Sequence, residues 1–143
     1  LGDTEPVVRM AAIKAISAYD GREPEHVILT KLVCGDPVSE VMGEIFRAMN
    51  SMEMENRIIR FEHYLRNESD DIRIEAAFAL GESHLPEALQ VLLRFWDEDI
   101  LLTSRKIFLD GIALHKSAEA RSFIRNLTDN PDFRATINKL LPD

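Results

Sequence analysis

Three arginines of this chain recur at intervals that would place them along one surface, and two further arginines and one histidine flank them. Arg60, Arg94 and Arg125 follow one another at nearly equal spacing along the sequence. A guanidinium presents a planar fork of donors that fits a carboxylate, so a row of arginines suits an extended acidic partner. The alternative interpretation is a solvated helix face that binds no partner. The residues predicted to contact a protein or acidic peptide segment are Arg57, Arg60, His63, Arg94, Arg121 and Arg125.

Groups for catalysis or metal binding do not cluster along the sequence. The histidines at 26, 63, 84 and 115 show no spacing of three or four residues that would bring two of them to one helical face. Cys34 is expected to be a small packing residue rather than a nucleophile. A glycine-rich phosphate loop is also missing from the sequence. We therefore expect no catalytic residue, no cofactor and no metal, and a protein that is not an enzyme.

Two acidic runs, residues 68–71 and 97–99, contain enough carboxylates to suggest a cation site. They lack the alternating ligands, the central glycine and the distal glutamate of a calcium loop. Each run precedes a predicted helix, where carboxylates cap free N–H groups and oppose the helix dipole. Helix capping is therefore the preferred interpretation, and metal binding is the alternative.

The adjacent aromatic residues Phe95 and Trp96 could grip a ligand. Trp96 aligns with the apolar Leu127 of a similar segment 31 residues later, which predicts a core position for Trp96. Phe95 is expected to be partly exposed. Ala76 and Ala79 are expected to be buried where two helices approach closely, because a small side chain permits that approach.

Composition limits the class of protein. The chain has 143 residues, of which 45% are hydrophobic and 29% are charged, as in an ordinary folded domain. Its net charge of −8 argues against nucleic acid and anionic membranes as partners. A single cysteine forms no intrachain disulfide, and no apolar run approaches the length of a membrane span. A cytoplasmic location is expected.

An internal repeat predicts the elements that position these residues. Residues 8–16 and 72–80 agree in residue type at nearly every position. Both have apolar or small residues at i, i+4, i+7 and i+8, which is the pattern of an amphipathic helix. Weaker copies begin at Val38, Ile100 and Phe133, so successive copies lie about 31 residues apart.

A second helix is predicted between successive copies, which gives five first helices and four second helices. The predicted second helices cover residues 24–33, 54–66, 86–96 and 118–127. No segment alternates with the period of a strand, so the predicted fold class is all-α. The predicted units are about 3–34, 35–68, 69–98, 99–130 and a partial unit 131–143 of a single repeat domain.

The residues at the ends of these helices agree with this division. Asp36 and Asn130, each followed by proline, predict an N-cap with proline at the first helical position, and Ser117 predicts another N-cap. Three glycines near predicted helix ends are expected to take the left-handed conformation there. These glycines are Gly21, Gly35 and Gly81.

Two-helix units of this length, with Val-Arg near the start of the first helix, resemble the phycobilisome-lyase type of HEAT-like repeat. The segment 71–81 together with 85–89 carries the resemblance most clearly. Ser39 and Leu101 depart from it, since they stand where other units have arginine. The resemblance implies an α-α superhelix, a right-handed solenoid of stacked antiparallel hairpins whose second helices line the concave face.

The resemblance implies a non-catalytic scaffold or adaptor segment that binds a protein partner on the concave face. The alternative is a lyase-like or enzyme-associated module that positions a tetrapyrrole-type ligand. A role in DNA repair, known for related helical arrays, is disfavoured by the net charge.

The two ends of the chain predict an excerpt of a longer array. The final predicted helix, 132–141, has apolar Ile137, Leu140 and Leu141 and no second helix after it. Because solenoids need polar terminal caps, we expect self-association through exposed terminal repeats.

Overall fold

A computed structural model describes residues 1–99 and 101–140, with only the backbone given for residues 139 and 140. The described residues form nine helices and no strand, which confirms the predicted all-α class and the predicted number of helices. Ile100 and Leu141, both expected in apolar stripes, lie outside the described residues, as does the side chain of Leu140. The helices are α1 (Pro6–Ile16), α2 (Arg22–Cys34), α3 (Ser39–Ser51), α4 (Arg57–Tyr64), α5 (Asp70–Ser83), α6 (Pro86–Glu98), α7 (Leu102–His115), α8 (Ala118–Asn126) and α9 (Arg134–Leu140).

The chain packs as two compact units, Leu1–Ala79 and Leu80–Asp143, each with its own core. The first unit is built around α3, which contacts α1, α2 and α4. Phe46 of α3 is fully buried and packs its ring against Phe61 at 5.4 Å and against Tyr64 at 5.1 Å between centroids. The stripe of α3 that forms this core consists of Val41, Met42, Ile45, Phe46 and Met49.

An ionic network joins the ends of α1, α2 and α3 in the first unit. Arg9 Nε and Nη2 donate to the two carboxylate oxygens of Asp36 at 2.9 and 2.8 Å, and Lys31 Nζ donates to the same carboxylate at 2.8 Å. Only 1% of the Asp36 side chain is exposed. The two cations and the carboxylate therefore satisfy one another where water has little access.

The predicted N-caps at Asp36 and Asn130 are wrong. Asp36 Oδ1 accepts from the N–H of Val38, the residue at the N-cap of α3, and Asn130 Oδ1 accepts from the N–H of Asp132. The following proline favours an extended conformation at both positions, and the side chain then closes a turn two residues ahead of it. The predicted cap at Ser117 is confirmed, since its Oγ accepts from the N–H of Ala120 at 3.1 Å.

The second unit has an aromatic core. Trp96 of α6 is buried, as predicted, and its ring lies 5.4 Å from that of Phe123 and 4.9 Å from that of Phe133. The prediction that Phe95 is partly exposed is wrong: it is buried against Phe108, with ring centroids 5.7 Å apart. Both residues can be buried because α6 is covered on a broad face, which also includes Leu89 and Leu92.

Gly81 is a packing residue of the second unit rather than a left-handed helix end. Gly21 and Gly35 have positive φ, as predicted, whereas Gly81 lies within α5 and does not. A β-carbon at Gly81 would overlap the carbonyl oxygen of Gly111 and lie 2.8 Å from Cβ of Leu114. The two glycines therefore allow close approach of the end of α5 to α7. In the first unit, Ala76 and Ala79 are buried, as expected.

We predict that Asp36→Asn destabilises the protein by about 1–3 kcal/mol, because Arg9 and Lys31 lose a charged acceptor in a buried position. Asp20→Asn, at an exposed position, is the control and should leave the free energy of unfolding unchanged. Urea denaturation followed by circular dichroism measures both. Equal stability of the Asp36 variant and the parent would contradict this account of the network.

The same network predicts a loss of stability in acid. Burial alone would raise the pKa of Asp36, but hydrogen bonds from Arg9, Lys31 and the Val38 N–H outweigh it and hold that pKa well below its usual range. The contribution of Asp36 to stability is therefore complete above about pH 5 and is lost progressively as the pH falls through the unfolded-state value near 4 toward the folded-state pKa. The difference in unfolding free energy between the parent and Asp36→Asn should therefore be smaller at about pH 3 than at about pH 7. A difference that stays constant over this range would contradict the assignment.

Gly81→Ala should lower stability by about 1–3 kcal/mol, because the new methyl group meets backbone that cannot move aside cheaply. Gly43→Ala is the matched control, since it also lies within a helix but the atoms nearest to its methyl group would be the carboxylate at the end of the flexible Glu75 side chain rather than backbone. Alanine is favoured over glycine within a helix by about 1 kcal/mol, so Gly43→Ala should be as stable as the parent or more stable. Thermal melting of both variants checks this, and equal effects would contradict the close approach.

Candidate functional site

A shallow groove lies between α2 and α4 in the first unit, and we call it the α2–α4 groove. It has a volume of about 230 Å³. Two of the six residues predicted to bind a partner, Arg60 and His63, line it. The full lining consists of Leu32, Val33, Ile59, Arg60, His63 and Tyr64.

Two branched apolar side chains stand at the surface of the groove. Val33 is 82% exposed and Ile59 is 67% exposed. These exposures follow from helix geometry. Leu32 and Phe61 take the buried positions of α2 and α4, whereas Val33, one residue after Leu32, and Ile59, two residues before Phe61, turn away from the core. Covering exposed apolar surface contributes about 25 cal/mol per Å², so this part of the surface favours contact with another apolar group.

Tyr64 closes the floor of the groove. Its hydroxyl donates to the carbonyl oxygen of Leu32 at 3.2 Å, in the last turn of α2, and the same oxygen also accepts from the N–H of Gly35 at the end of that helix. Its ring packs on Phe46 at 5.1 Å and on His63 at 5.5 Å between centroids. Burial raises the pKa of Tyr64, and the charge of Arg60 opposes that increase. The hydroxyl is thus held neutral as a donor, and the floor is fixed to α2 and to the core.

The cationic side of the groove comes from α4. Arg60 is half-buried, and its Nε is buried without a hydrogen bond to any residue that the structure describes. His63 follows one turn later on the same face and is exposed. Arg57 does not line the groove, because its Nη1 donates to the carbonyl oxygen of Met54 at 3.1 Å, at the start of its own helix.

The other three predicted residues belong to the second unit and are exposed. The guanidinium of Arg94 on α6 lies 5.8 Å from the ring centroid of Phe95. Arg121 and Arg125 lie one turn apart on α8. The predicted row of Arg60, Arg94 and Arg125 combines residues of both units and stays a prediction.

Further hollows flank the exposed side of α2. One of about 460 Å³ borders Val33 and therefore adjoins the groove. The prediction that Cys34 is a small packing residue is wrong: it is exposed in this hollow, because the last residue of α2 lies two positions beyond the buried Leu32. The lining residues are His26, Leu29, Thr30, Val33 and Cys34.

The histidines of the second unit show a contact that the sequence analysis missed. His115 Nε2 lies 2.9 Å from the carbonyl oxygen of Leu85, and His84 Nδ1 lies 3.1 Å from that of His115. Carbonyl oxygens only accept, so both ring nitrogens donate and the pair is structural. The two histidines are 31 residues apart, which equals the predicted repeat length, and that spacing was the signal that could have revealed the contact.

The acidic runs lie at helix ends. Asp99 Oδ1 accepts from the N–H of Leu101 at 2.8 Å, just before α7, and Asp70 pairs with Arg73 in the first turn of α5. Across residues 1–99 and 101–138, no group of three or more histidine, cysteine or acidic side chains could hold a metal ion. None of the helices in the described part of the chain is long and apolar enough to cross a membrane.

Comparison with known proteins gives no relative. No family model, no curated protein and no solved structure matches the chain.

The exposed Cys34 should react with a thiol reagent in the folded protein. We expect one thiol to be labelled under native conditions, at a rate close to that in denaturant, because the side chain is open to solvent. Absorbance of the released thiolate during labelling measures both rates. Labelling that is slow in the folded protein and becomes fast only in denaturant would show that Cys34 is a packing residue, as the sequence predicts.

Proposed function

We propose that this chain is a HEAT-like array of stacked helical hairpins and that it acts as a non-catalytic scaffold for an acidic protein segment. The array is supported within each unit by hydrogen bonds that span about one repeat. In the first unit, Asn50 Nδ2 donates to the carbonyl oxygen of Ala79 at 2.9 Å. In the second unit, Gln90 Nε2 donates to Glu119 at 3.1 Å over the same sequence separation.

The observation that carries the binding role is the α2–α4 groove. A chain with a net charge of −8 there presents Arg60 and His63 beside exposed Val33 and Ile59. Interfaces commonly combine an apolar centre with a polar rim, and arginine is enriched in them. An acidic partner would gain charge pairing at the groove while most of the scaffold surface repels it, which fixes where the partner docks.

Arg94 and Arg125, at equivalent positions of the predicted repeats 69–98 and 99–130, would bind further carboxylates of the same segment. An extended segment would then meet one arginine in each of three successive predicted repeats, with Arg57 and Arg121 at the margins. Such a surface gives binding that depends on ionic strength, because exposed charge pairs are screened over about 8–10 Å at ordinary salt.

Reversing three charges tests this proposal. We predict that the variant Arg60→Glu, Arg94→Glu, Arg125→Glu binds a fluorescently labelled glutamate-rich peptide at least about tenfold more weakly than the parent. Fluorescence anisotropy at low and high salt measures the affinity, and circular dichroism checks that helical content is retained.

The matched control reverses three exposed basic residues that lie outside the groove and produces the same change in net charge. Its substitutions are Lys14→Glu, Arg22→Glu and Arg134→Glu. The control should bind within about threefold of the parent, because distant charges are screened. Equal loss in both variants would show that only net charge matters, and failure of the parent to bind the peptide would contradict the proposed function.

A further inference from the structure

Resting on the proposed function, we propose that the α2–α4 groove takes one large apolar side chain of the acidic partner segment. Arg60 and His63 then pair with carboxylates that flank this anchor. The partner is therefore an acidic segment with a leucine-like or aromatic residue among its carboxylates, rather than a uniformly acidic one.

The size of the groove favours a side chain over a small-molecule ligand. Its volume of about 230 Å³ is below the ~300–1,000 Å³ typical of small-molecule sites. Its walls are apolar on both helices, since Val33 comes from α2 and Ile59 from α4. An anchor between them would contact both exposed side chains at once and cover surface that water otherwise meets.

The floor of the groove is prepared for such an anchor. Tyr64 is tied to the Leu32 carbonyl by its hydroxyl and to Phe46 by its ring. Leu32 itself is only 3% exposed and belongs to the core. Little ordering of the floor is needed on binding, and a rigid site loses less free energy to ordering than a mobile one.

The charges restrict what surrounds the anchor. Arg60 contributes to the groove wall, and its buried Nε makes no hydrogen bond within the described part of the chain. His63 lies one turn further on, so a carboxylate on either side of the anchor would meet a donor. A neutral or basic segment would gain only the apolar contact, and a basic one would meet Arg60 as a like charge.

The test compares two labelled peptides with the same number of glutamates, one with a central leucine and one with alanine in its place. The leucine peptide should bind the parent protein about tenfold more tightly. In the double variant Val33→Ser, Ile59→Ser the two peptides should bind alike. Both substitutions are at exposed positions, so the melting temperature should stay near that of the parent.

Val7→Ser, Tyr19→Ser is the matched control, because these side chains are 70% and 69% exposed and lie outside the groove. It should keep the full preference for leucine. Arg60→Gln should lower the affinity for both peptides by the same factor and make it less dependent on salt. The preference for the leucine peptide over the alanine peptide should remain.

The outcomes separate the two proposals. Equal affinity of the parent for both peptides would overturn the anchor but leave the acidic-segment scaffold standing, whereas no binding of either peptide would overturn both. Sedimentation provides one more outcome: a parent dimer that Ile59→Ser converts to monomer would show that a second copy fills the groove, which also overturns the anchor.

Discussion

The helices of this protein are too short to be stable alone, and that constraint shapes the rest of the structure. The described helices have between 7 and 14 residues, at or below the length at which an isolated helix is marginal in water. Each must therefore bury its apolar stripe on neighbouring helices. In the first unit α3 does this most completely, with Phe46 in contact with the rings of Phe61 and Tyr64.

The surface available for binding follows from how that burial is achieved. Buried Leu32 and Phe61 hold α2 and α4 against the core, so Val33 and Ile59 beside them remain exposed. Tyr64 links the two helices through the Leu32 carbonyl and gives the space between them a fixed floor. The packing that stabilises the unit thus creates the groove that we propose to bind the partner.

Much of the helical order could be predicted from the sequence, because an amphipathic stripe that recurs once in every repeat is a strong signal. Finer details could not be predicted. The helical period identifies the face of a helix but not how broadly neighbours cover it, so Phe95 proved buried and Cys34 exposed. Arg60 was identified by repeat spacing and His63 by its position one turn after Arg60, whereas Val33 and Ile59 look like ordinary core residues in the sequence.

The contact between an apolar anchor and the groove is the central claim, and isotope-filtered nuclear Overhauser spectroscopy tests it most directly. The parent protein, labelled at valine and isoleucine methyl groups, would be mixed with an unlabelled glutamate-rich peptide that contains one leucine. The account predicts cross-peaks from the leucine methyl groups to those of Val33 and Ile59, which form the two walls. Cross-peaks to Val7 or Val8 instead, with none to the groove, would contradict it.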